Sequence, residues 1–100
     1  MAEALTLKDN IEVSLAVIAD EVEALPERLN DLDGTWRDEW STNMARFEWL
    51  VDLVHEGKLD VGEQAEYERL LRQLREYLPL TKQIGLWVRQ KLLDAIKEVS

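Results

Sequence analysis

Residues 11–36 read IEVSLAVIADEVEALPERLNDLDGTW, and the fold follows from the spacing of their apolar positions. Ile11, Leu15, Ile18, Val22, Leu25, Leu29, Leu32 and Trp36 are separated by four and three residues in turn. That spacing keeps apolar groups on one face of an α-helix, whereas a half-buried strand alternates with a period of two. Thr6 predicts the helix start. Its hydroxyl can accept from the backbone N–H three residues on, and Asp9 stands there as a shorter stand-in for the usual Glu or Gln of a capping box. Pro26 lacks an N–H and crowds the preceding turn. The seam keeps its phase across Pro26, so a kink is expected there rather than a break, with Asp33-Gly34 as the turn that ends the helix.

The same period continues downstream. Trp36, Trp40, Met44, Phe47, Val51 and Val54 share a face, with Leu50 beside them, which predicts a second helix over 35–55. Trp49 points off that stripe. Gly57 and Gly62 mark a loop over 56–62. From Tyr67 a third seam runs through Leu71, Leu74, Leu78, Thr81, Gly85, Val88, Leu92, Ala95 and Val99. Leu70, Tyr77, Leu80, Ile84 and Trp87 form a second stripe beside it, and so wide an apolar arc faces more than one neighbour. Pro79 makes this either one long kinked helix or two helices, 63–77 and 80–98, with Gly85 read as allowing close helix approach. The fold class predicted is all-α: an antiparallel bundle of three to four helices with proline kinks near 26 and 79, residues 1–100 forming a single domain.

Composition narrows the function classes. A chain of 100 residues buries only about 60–65% of its unfolded surface, so a core of its own is modest. A hydrophobic content of 46% with four tryptophans exceeds what such a core needs, which predicts a subunit interface and favours an isologous homodimer. The chain has no cysteine, which excludes disulfides and thiolate chemistry and fits a reducing, cytoplasmic compartment. The N-terminus lacks the basic and apolar regions of a signal peptide. The longest apolar run is the five residues 15–19, far short of a membrane span. A net charge of −9 opposes direct contact with nucleic acid or an anionic membrane. The charge is uneven: residues 20–68 carry −11, residues 69–100 carry +4 and residues 1–19 carry −2. The acidic middle and the basic third can therefore pair, within one chain or between two.

No motif forces a chemistry. His55 is the only histidine, and with no cysteine or second histidine it lacks the company a zinc site needs. Its place at the end of the second helix suits an imidazole that meets the negative end of the helix dipole. Asp60, Glu63 and Glu66 cluster near the loop, and Asp20, Glu23 and Glu27 share a helical face. Without Glu-x-x-His pairs these read as solvated carboxylates, not as a di-metal site. Phosphate loops and nucleophile elbows are absent. Catalytic, metal and cofactor-binding residues are accordingly expected to be none. Arg69, Arg72 and Arg75 step along one helical edge and are candidates for pairing with acids of a neighbouring helix. Trp36 and Trp40 read as core. Trp49 and Trp87 lie at the margins of their stripes and, with Ile84, Leu80 and Tyr77, are the candidate interface, because tryptophan is enriched where interfaces concentrate their energy.

Residues 29–38, LNDLDGTWRD, are similar to the turn of the small secreted helical hairpins with a Trp-x-Gly turn that type VII systems export. The likeness covers about twenty residues. Asp38 stands where their glycine would be, and the 56–62 loop would cut their long second helix, so it carries no assignment. The function expected is a non-enzymatic interaction or adaptor module working through helix–helix contacts as a homodimer, with itself and an unidentified protein as partners. The alternative is an acidic inhibitor that occupies a basic nucleic-acid-binding cleft. A lesser one is a helical enzyme with an Arg/Glu site between subunits. Surface layout separates the first two: an acidic face neutralised by the arginine row fits the module, and one left open fits the inhibitor.

Overall fold

The computed structural model describes residues 6–28 and 34–99. Five helices follow one another among the described residues: α1 (Leu7–Glu23), α2 (Leu25–Arg28), α3 (Trp36–His55), α4 (Val61–Gln83) and α5 (Gln90–Glu98). There is no strand among the described residues. The chain is an all-α helical bundle, as the apolar period predicts. Leu29, Leu32 and Asp33, part of the first seam and its predicted turn, lie outside the described residues.

The helix starts are set locally. Thr6 caps α1: its hydroxyl accepts from the Asp9 N–H at 3.1 Å, and the Asp9 carboxylate accepts from the Thr6 N–H at 3.3 Å. Asp60 and Glu63 form the same reciprocal box at α4, with 2.8 and 3.0 Å bonds. At Pro26 the helical assignment lapses for the single residue Ala24, whose backbone stays right-handed at φ −80°, ψ −9°, and α2 adds one further turn.

The ends of α3 and α4 are left-handed glycine caps. Gly57 (φ +71°) follows α3, with the Lys58 N–H donating to the Leu53 carbonyl at 2.9 Å. Gly85 (φ +77°) follows α4, with the Leu86 N–H donating to the Thr81 carbonyl at 2.8 Å. Both have the six-to-one bond of a Schellman motif. This corrects the reading of the third seam. α4 runs through Pro79 to Gln83, and the break falls at Gly85, not at the proline. Gly85 does not serve close helix approach either, since a Cβ added there would meet nothing within 4 Å. It is needed for its backbone angle.

α1 packs on both α3 and α4, α5 packs on both as well, and α2 closes against α4 and α1. Phe47, Leu50, Leu70, Leu71, Leu74 and Leu92 are fully buried at the centre, with Ile18, Val22 and Leu25 from the first seam. Phe47 meets Tyr67 edge-on at 6.1 Å. Burial, then the charges of Glu98 and Glu68, push the Tyr67 phenol up to about 12. Trp36 and Trp40 are core residues, 4% and 3% exposed. The ion pairs Glu48–Arg89 (2.8 Å) and Asp52–Lys91 (3.0 Å), with the His55–Glu98 contact (3.3 Å), show that α5 lies beside α3 in the same direction.

Candidate functional site

Four large apolar side chains stand exposed among the described residues, Leu7, Val13, Val61 and Trp87, and Trp87 is the largest of them. The residues 84–89 that link α4 to α5 lie across the first turns of α3. Arg37 donates to the Ile84 carbonyl at 2.9 Å, and the Trp40 indole N–H donates to the Trp87 carbonyl at 3.2 Å. Val88 is buried beneath the link. The backbone of Trp87 is therefore tied to the core, while its side chain is 75% exposed. The guanidinium of Arg89 sits 5.9 Å from the Trp87 ring centre and is itself anchored by Glu48. Trp87 forms one wall of a groove of about 480 Å³ between α4 and α5, which Leu78, Thr81, Lys82, Leu86, Val88, Gln90 and Leu93 complete.

The candidate interface residues are thus divided. Trp87 lines the groove. Tyr77, Leu80 and Ile84 are half-buried and packed against the core beside it. The groove instead uses Leu78, Thr81 and Lys82, one helical step round α4 from the predicted stripe. Leu86 and Leu93 were not singled out by sequence, because their groove exists only once the chain turns at Gly85. Trp49 belongs to a different surface. It is half-buried and lines a shallower depression between α1 and α3 with Asn10, Val13, Ser14, Ala45 and Arg46.

The charged candidates find partners within the chain. Arg69 hydrogen-bonds Glu66 on α4 and pairs with Glu23 of α1 at 3.6 Å, and Arg72 pairs with Glu68 at 3.4 Å. Lys8 meets Asp60 at 3.0 Å and Glu63 at 3.7 Å. The bond from the Glu63 N–H and that from Lys8 hold the Asp60 carboxyl below its ordinary range. Asp60 and Glu63 are therefore capping groups. Among the described residues no three His, Asp or Glu lie close enough to hold a metal ion.

One polar residue escaped the sequence reading. Glu21 is only 6% exposed. Burial is the main cause that raises its carboxyl pKa, and Arg28 and Asn43 oppose the rise. The signal was present: Ser14, Ile18, Glu21 and Leu25 are spaced four, three and four, so Glu21 sits on the inward face. Nearby, Trp36 lies between two guanidiniums, Arg28 at 5.3 Å and Arg37 at 5.0 Å from its ring centre. Its indole N–H has no hydrogen-bond partner among the described residues. Arg28 thus faces both the buried Glu21 carboxyl and the Trp36 ring.

No protein-family model, no curated protein and no solved structure matches this chain.

Proposed function

We propose that this chain is a protein-interaction module that works through apolar helix contacts at its α4–α5 end, and that it associates with itself. The observation that carries this reading is Trp87, three-quarters exposed on a backbone tied to the core. A tryptophan side chain offers roughly 150–250 Å². Leaving about three-quarters of that in water forgoes roughly 3–5 kcal/mol of burial at about 25 cal/mol per Å². A rigid aromatic beside an apolar groove is the form that interface anchors take, because little ordering remains to oppose binding.

The layout of charge favours the interaction module over an acidic inhibitor. Five of the fifteen acids in residues 20–68, Glu23, Glu48, Asp52, Glu66 and Glu68, are each met by a cation of the basic third, with Glu23 and Glu66 sharing Arg69. An inhibitor that mimics nucleic acid needs those carboxylates open to its target's cations.

Light scattering coupled to size exclusion, from low micromolar to millimolar protein, tests the reading. A mass that rises from monomer to dimer with concentration is expected. A constant monomer mass at every concentration removes the self-association.

A further inference from the structure

Building on that proposed self-association, we infer that the dimer is a reciprocal seating: Trp87 of each copy enters the α4–α5 groove of the other. Three observations lead there.

The first is self-complementarity. A two-fold interface uses the same patch on both copies, so that patch must offer a projection and a hollow together. Trp87 projects from the 84–89 link, and the groove between Leu78 on α4 and Leu93 on α5 opens directly beside it. The Trp49 depression offers no comparable projection, since Trp49 is half-buried against the core.

The second is charge. Two chains of −9 repel each other, so association needs a patch where acids do not face acids. The groove residues include no acid. Arg89 beside it is held by Glu48, and Lys91 on the next turn is held by Asp52. Lys82 is the one charged group in the groove wall, and it makes no ion pair with a described residue. The patch is thus close to neutral on an acidic molecule, which suits a second copy better than a strongly charged partner.

The third is area. A standard small interface buries about 1,200 Å² in total. Two Trp87 side chains together supply roughly 200–400 Å² of that. The groove walls at Leu78, Leu86 and Leu93 extend the contact around them. The two tryptophans are its dominant anchors.

The experiment is sedimentation velocity over a concentration series on the wild type, Trp87→Ala and Trp49→Ala, each at low and high sodium chloride. The Trp87 indole makes no hydrogen bond within the described fold, so the alanine variant keeps the wild-type circular dichroism spectrum, and its melting curve matches wild type at protein concentrations where the wild type is monomeric; both are recorded first. The expected result is a wild-type dimer that Trp87→Ala weakens by at least about 30-fold and that Trp49→Ala leaves unchanged. Salt tightens it, because screening removes the repulsion between two acidic chains. A dimer that survives Trp87→Ala, or that loosens with salt, overturns the reciprocal seating and leaves self-association standing on another face. A wild type that stays monomeric throughout overturns both.

Discussion

Replacing Gly85 by alanine separates the observed chain path from the one the apolar seam suggests. Gly85 has φ +77°, in the left-handed region, and an added Cβ meets nothing within 4 Å. The substitution therefore carries no clash, only the conformational cost. For an L-residue with a Cβ that cost is roughly 1–2 kcal/mol. The stiffer unfolded chain returns about 0.4–1 kcal/mol. The net expectation is a loss of about 1 kcal/mol, which for a domain of this size lowers the melting temperature by roughly 4–8 °C. Had residues 80–98 formed one helix, the same change would have removed a glycine from a helix interior and gained about 1 kcal/mol. The two chain paths thus differ in sign. Gly62→Ala is the control. Gly62 lies in the first turn of α4 without a positive φ, and its added Cβ would sit at an ordinary 3.5 Å from Asp60 Oδ1. Gly62→Ala is expected to stabilise by about 0.5 kcal/mol. Thermal and urea unfolding followed by circular dichroism measure both. A melting temperature for Gly85→Ala equal to or above wild type would refute the glycine cap and, with it, the groove that the turn creates.

Two further perturbations follow from the core. Glu21 binds its proton more tightly folded than unfolded, so stability falls as pH rises from the ordinary glutamate value near 4.3 through the raised folded one. Glu21→Gln removes that component, and urea midpoints at pH 4 and pH 7 should show the variant gaining on wild type as pH rises; a variant that instead loses ground contradicts the burial-driven shift. Phe47 is wholly buried and edge-on to Tyr67, so Phe47→Ala should cost about 3–5 kcal/mol, a large part of the 5–15 kcal/mol typical of a small domain. A urea midpoint within error of wild type would show that Phe47 is not central to the core.

The sequence by itself determined what is local. The repeat of three and four fixed the helices, because each side chain's direction follows from its place in the turn. The Thr6 cap was legible for the same reason: its partner Asp9 is three residues away, within one turn of the chain. Other decisions needed distant parts to meet. Gly85 fits the apolar seam as well as it fits a cap. What tips the balance is that Arg37 and Trp40 of α3 bind the carbonyls of the link that the turn produces. The stripe that lines the groove was likewise undecidable, since Leu78 and Leu80 both alternate correctly and only the docking of α5 distinguishes them. Arg69 could have met acids within its own chain or another's until α1 brought Glu23 within 3.6 Å. Periodicity specifies which face of a helix avoids water. Which neighbour covers that face depends on contacts between residues about forty positions apart, and those exist only in the folded chain.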